Sequence, residues 1–273
     1  MSRPGVATVY RWELRKLVSL KRTYLGLGAA VVFPLIFVVA LALESGQPEG
    51  VAFGRYVRDS GFAVPLVMLL FGSIWFMPLV TSLVAGDIVA TEDANGTLKT
   101  ILTRSVSRAQ IFWAKVMAAV TYAVLGVLVF GLTGLIGGAI QSGLHPLVSL
   151  SGTEITVGRA FTLEGLGFAV YLMPVLAVAA VGILLSTVTR NSAAAVVGTL
   201  MFSLLLQLTQ IVPGLDAIQP YLLPRQFNAW QGLLREPVDT APIIRAAVVC
   251  GLHVAIALGA AWAVFRRRDV AGG

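Results

Sequence analysis

Charge is what this sequence has least of. Asp, Glu, Lys and Arg make up 12% of its 273 residues, against 57% apolar residues. Soluble domains carry about 25% charged and 45–50% apolar residues. The shortfall excludes a disordered chain and a basic nucleic-acid-binding domain, and it speaks against a water-soluble enzyme. Cysteine is nearly absent as well. The single Cys250 excludes an internal disulfide and any cysteine-based zinc or iron–sulfur site. Within its apolar run it reads as a small buried hydrophobe. No lysine follows a glycine; the four follow Arg15, Leu20, Leu98 and Ala114. A phosphate-cradling P-loop needs Gly-Lys followed by Ser or Thr, so that backbone N–H groups and the lysine hold phosphates. This chain cannot hydrolyse ATP through such a loop.

What is present is apolar sequence in long runs. A spanning helix takes about 20 apolar residues. Runs at 24–43, 62–86, 112–141, 163–188, 193–213 and 243–265 predict six transmembrane helices. The fold class is then an all-α membrane protein, one transmembrane domain over 1–273, with no room for a sizeable soluble domain. Between the fifth and sixth runs, residues 214–242 are Pro-rich. Pro220, Pro224, Pro237 and Pro242 break any long helix there. Tyr221, Phe227 and Trp230 suit the level of a membrane interface.

Charge distribution gives the orientation, because cytoplasmic loops retain Lys and Arg. The N-terminus, residues 87–115, Arg190 and the tail hold fourteen basic against five acidic residues. The other side holds six basic against eight acidic residues. Both termini are therefore expected in the cytoplasm, in a multi-pass protein of the cell membrane. An even number of spans agrees. Ala40-Leu41-Ala42 resembles a signal-peptidase site, but the apolar run before it is about 20 residues, longer than a signal peptide's core. The first run is expected to stay as a span.

Two segments on the basic side carry pattern. Over 1–23, Val6, Val9, Tyr10, Leu14, Leu17 and Leu20 recur at helical spacing, with Arg11, Arg15 and Arg22 gathered on another face. That is an in-plane amphipathic helix, with Trp12 as an interfacial anchor. It reads as a surface anchor or as an elbow that positions the first span. Between the second and third runs, Asn95-Gly96 marks a turn. Leu98, Ile101 and Leu102 then share a face away from Lys99, Thr103 and Arg104, which predicts a short helix within 92–105. Ser107-x-x-Gln110 forms a capping box that opens the third span. A rigid segment fixed at both ends to spans can transmit a push; a plain structured loop has the same geometry.

These residues resemble a known signature. Glu92-x-x-x-Gly96-Thr97-Leu98, then Leu102, then Val106-Ser107-Arg108-x-x-Ile111-x-x-x-Lys115 is similar to the central motif of ABC-2-type transporter permeases. Tyr10 to Lys16, including Trp12, Glu13 and Arg15, and the ending Phe265 to Val270 are similar to family members as well. Two positions depart: Ser105 stands for the family's usual proline, and Ile101 for the first leucine of its Leu-Leu pair. The resemblance implies the permease subunit of an ATP-driven exporter. It would pair with a second permease subunit, as homodimer or heterodimer, in membrane lipid. Two copies of a separate ABC ATPase would dock below and carry the ATP and magnesium. The 92–105 segment would be the coupling helix, with Glu92 at the start of the contact and Val106, Ser107 and Arg108 at its end. Residues 214–242 would be re-entrant or interfacial helices on the extracellular side.

The spans hold few polar groups. Thr199, Ser203, Gln207 and Gln210 form a stripe along the fifth run. A hydrogen-bonding group facing lipid is costly, so the stripe should face protein or a cavity. It lines a pathway or a subunit seam, or it bonds between helices. Its lack of charge favours an amphipathic or lipid-like cargo. His253 in the sixth run has no acidic partner in the spans and reads as a packed neutral residue. Gly134-x-x-x-Gly138 permits close helix contact. Pro34, Pro65, Pro78 and Pro174 are candidate kinks.

Three other readings compete. An ion-gradient-driven secondary transporter would favour inverted repeats and midplane carboxylates; Asp87 and Glu164 sit at span ends. An intramembrane serine protease would need a nucleophile and base within reach, and Ser73 and His253 carry no fuller motif. A non-transporting membrane scaffold is the third.

Overall fold

The computed structural model describes residues 5–43, 50, 52–96 and 106–267. Most of it is helix, as apolar runs without backbone partners in lipid require. The chain opens with α1 (Val6–Ser19) and breaks at Leu20, whose extended backbone turns it into α2 (Lys21–Leu43). A single helical turn at Gly54–Tyr56 precedes α3 (Ala63–Phe71). A π-helical turn over Gly72–Phe76 leads into α4 (Met77–Ala85), then α5 (Ala90–Ala94). Pro78 follows directly on the π-helical turn, inside the continuous stretch Ala63–Ala94. The long α6 (Arg108–Ser142) follows, then a two-residue antiparallel pairing of β1 (Leu147–Val148) with β2 (Glu154–Ile155). Next come α7 (Val157–Thr189) and α8 (Ser192–Leu208). The short α9 (Leu223–Gln226) and a 3₁₀ turn at Ala229–Leu234 lead to α10 (Ala241–Arg266).

Five helical stretches are long and apolar enough to cross a membrane: α2, Ala63–Ala94, α6, α7 and α10. This is the makeup of a multi-pass membrane protein. The expected span over 193–213 forms a helix only to Leu208, and its 17 residues fall short of those five. Residues 209–211 continue as turns, and Pro213 stops any helix there. Pro34 and Pro174 lie inside unbroken helices.

Ala63–Ala94 is the most enclosed of the five and forms the middle of the bundle. Phe33 of α2, Phe76 and Phe130 of α6 stack across it, with ring centroids 4.5 Å and 5.5 Å apart. Gly138 faces the start of α3, where a Cβ would fall 2.3 Å from the Gly61 carbonyl, so that end of the expected small-residue motif is a backbone contact. At the opposite end of the bundle from α1, the β1–β2 hairpin holds the segment between α8 and α10. Leu150 N donates to the Leu234 carbonyl at 2.8 Å, and Glu236 N to Ser151 Oγ at 2.9 Å. Phe227 and Trp230 are buried in the core, 3% and 0% exposed, while Tyr221 is exposed. The prolines there free a short segment to fold inward, and the rings fill the space between α7 and the loops. Phe227 packs at 5.3 Å from Tyr171 and Trp230 at 6.2 Å from Phe53.

Candidate functional site

Three acidic residues follow α4 within seven positions: Asp87, Glu92 and Asp93. Each meets a cation from a different part of the chain. Asp87 is buried and pairs with Arg22 of α2. It also accepts hydrogen bonds from Thr91 and from Ser192, the first residue of α8. Asp93 lies 3.6 Å from Arg190, which ends α7 in a left-handed conformation. Glu92 pairs with two lysines, Lys16 of α1 at 2.6 Å and Lys115 of α6 at 2.8 Å.

Glu13 of α1 completes the second group. Lys115 Nζ is 3.0 Å from Glu13 and Lys16 Nζ is 2.9 Å from it. Glu13, Lys16, Glu92 and Lys115 therefore form a closed ring of alternating sign. Lys115 is 1% exposed, and its three N–H groups meet Glu13, Glu92 and the Ile88 carbonyl, the last at 3.0 Å. A buried ammonium is tolerated only when paired and hydrogen-bonded; this one pairs with two carboxylates and donates to Glu13 and to the Ile88 carbonyl. Around Lys16, burial alone would disfavour the charge; the Glu92 and Glu13 carboxylates outweigh it and hold the ammonium above the usual lysine value.

Local sequence explains how the ring is built. Val9, Glu13 and Leu17 recur every fourth position and form the buried face of α1. That face lies on α6, where Tyr10 Oη and Thr121 Oγ1 are 2.6 Å apart. The chain between α4 and α5 is held from α7, whose buried Ser186 hydroxyl accepts from Val89 N at 3.1 Å and Ala90 N at 2.9 Å. Gly86 lets α8 close on it, since a Cβ there would lie 2.8 Å from Val196 Cα. Asn95 and Gly96 then end α5, Gly96 with φ of 68°.

The expected site residues fall out unevenly. Glu13, Lys16 and Glu92 come together in the ring. Trp12 is 44% exposed, and Arg15 points away from the ring on the exposed face. The capping box is present: Ser107 Oγ accepts from Gln110 N at 3.2 Å, and Gln110 Oε1 accepts from Ser107 N at 2.9 Å. Val106 precedes it, and Arg108 donates to the Arg266 carbonyl at 2.7 Å, tying α6 to the end of α10. Thr97, Leu98, Ile101 and Leu102 lie outside the described residues. Thr199 and Ser203 face inward but bond back to carbonyls of their own helix, Ala195 and Thr199, at 2.7 Å and 3.3 Å. Gln207 lines a narrow cleft with Ser73, Ser203 and Phe227; Gln210 lies past the end of α8. Ser73 bonds to the Leu70 carbonyl and His253 to that of Val249, each within its own helix, so the two form no dyad. Among the described residues no cluster of His, Cys, Asp and Glu is placed to hold a metal.

Sequence reasoning named Lys115, Asp87 and Arg22 without their partners, and missed Ser186 and Ser192. A signal existed for Lys115, because an ionisable residue inside an apolar run demands a partner. Glu13, at the centre of an apolar helical face, was that partner's signature.

A family described as a protein of unknown function (DUF2705) matches residues 29–271. The chain belongs to that family. No curated protein matches it.

Proposed function

We propose that this DUF2705 chain is the membrane permease subunit of an ATP-driven transporter of the ABC-2 type, with the 92–105 segment docking on a separate ATPase. One observation carries the reading: the segment leaving α4 is fastened by ion pairs to α1, α2, α6 and the α7–α8 turn at once. A displacement applied to that segment would be shared by the whole basic end of the bundle. A plain loop needs no such fastening. In this reading α1 is the elbow helix, and α8 with the turns after it makes a sixth, short span. The basic end, both termini included, faces the cytoplasm. The resemblance of Glu92 to Lys115 to the permease signature and the absence of a P-loop support the division of labour. Two such chains, or this chain and a second permease, would form the path for an amphipathic or lipid-like cargo.

The coupling role is tested by Glu92→Lys and Gly96→Pro. Glu92→Lys places a third cation against Lys16 and Lys115. Gly96→Pro imposes a negative φ where the chain takes a positive one. Both should insert in the membrane at wild-type levels and lose ATP-dependent transport in vesicles by at least tenfold. Transport at the wild-type rate in both would remove the coupling role.

One observation favours an ion-driven alternative. Glu164, two turns into α7, is 4% exposed and has no partner for either carboxylate oxygen among the described residues. Transport driven by an imposed ion gradient, without ATP and abolished by Glu164→Gln, would select that reading.

A further inference from the structure

Opposite the charged ring, at the loop end of the bundle, a cavity of about 280 Å³ opens between α9, the 3₁₀ turn and the start of α10. Arg225, Arg235 and Arg245 line it, from three separate stretches of chain. None of the three guanidinium groups makes a hydrogen bond or ion pair with a described residue, whereas the bases of the charged ring are all paired. The nearby acids neutralise them only in part. Glu236 is held by Arg159 at 2.9 Å, outside the cavity. Asp239 lines the cavity, but its Oδ1 accepts from Ala241 N at 3.1 Å and caps α10. Asn228 and Gln231 add amide groups to the wall. Three guanidinium groups thus face one carboxylate.

We propose that this cavity binds a phosphate group, and that its source is a membrane phospholipid headgroup. Guanidinium matches the oxygens of a phosphate with paired N–H donors, and three groups converging on one space suit a tetrahedral oxyanion better than a planar carboxylate. Pockets for drug-sized ligands run to about 300–1,000 Å³; this one is at the small end, the size of a headgroup. Position decides the source. Arg245 lies in the second turn of α10, and Ile244, Val248, Leu252 and Ile256 run from beside it down one outer face, 56–70% exposed. A phospholipid would lay its acyl chains on that stripe with its phosphate at the arginines. A soluble phosphorylated molecule would make no use of the stripe. The site does not depend on coupling to an ATPase.

The test uses the purified full-length chain in detergent, with fluorescent phosphatidylglycerol as probe. Wild type should bind it saturably, and glycerol 3-phosphate should compete only weakly. Each of Arg225→Gln, Arg235→Gln and Arg245→Gln should weaken binding by roughly tenfold, and the triple variant should abolish it. Asp239→Asn keeps the cap, removes the one acid and should tighten binding, a gain that misfolding cannot produce. Equal binding of an uncharged glycolipid, or unchanged binding by the triple variant, would overturn the proposal. Glycerol 3-phosphate binding as tightly as the lipid would overturn the lipid source.

Discussion

Lys115 is the residue on which the charged ring turns. Its ammonium is almost completely enclosed and satisfied by two carboxylates and a carbonyl. Removing one partner of such a group strands the others, at about 3–5 kcal/mol, whereas replacing a whole buried pair by apolar residues is close to neutral. Lys115→Met should therefore destabilise the protein by about that much, and Lys115→Met with Glu13→Leu by clearly less than the two single changes added together. A double-mutant cycle by denaturation in detergent measures this; strict additivity would show that the two residues do not act as a pair. Glu164 is the opposite case, a buried carboxyl without a partner among the described residues. Glu164→Met keeps the length of the side chain and removes the desolvation penalty, about 1–3 kcal/mol. A higher melting temperature is expected; a lower one would mean that the carboxylate has a partner the fold needs. Both residues were visible in the sequence as charges beside apolar runs. The pairing of Lys115 was not, because Glu13 lies about a hundred positions away and only the packing of α1 on α6 brings the two together.

α1 shows how a pattern can be right in kind and wrong in detail. Helical spacing predicted an amphipathic helix lying on the membrane surface, and the helix forms over Val6–Ser19. Its inward face, however, is Val9, Glu13 and Leu17, and that face lies on α6. An apolar-face reading sets a glutamate aside as polar, while the structure uses it as the centre of the contact. Lys16 shares that contact, and the pH behaviour follows from it. With its ammonium held above the usual lysine value, its contribution is complete at any pH below that value and fades only as pH rises through the raised one. Fluorescence of Trp12, on the same helix, should stay constant through the neutral range and change only in strong alkali. A change near neutral pH would mean that Lys16 does not hold α1. The capping box at Ser107 was legible because it is local, two side chains three residues apart. The length of α8 was not, since an apolar run continues through turns where the helix stops.

The molecule has two unlike ends joined by an apolar bundle. At one, carboxylates and cations cancel in pairs around the segment that leaves α4; at the other, the side chains of three arginines around a small cavity have no partner among the described residues. Composition and run length announced a multi-pass membrane protein, because insertion in lipid constrains every stretch of the chain in the same way. They said little about the ends, where contacts between distant segments decide the arrangement. Phe227 and Trp230 mark that boundary: residue type suggested an interfacial level, and only the fold shows that both rings pack into the core. The central claim is that the fastened segment is moved from outside by an ATP-hydrolysing partner. Gentle solubilisation of the full-length chain from its native membrane, followed by affinity purification and identification of what accompanies it, addresses this most directly. A P-loop ATPase should co-purify in a one-to-one ratio with permease chains and be lost on Glu92→Lys. A chain that purifies without any such ATPase, and moves its cargo in vesicles regardless, would contradict the account.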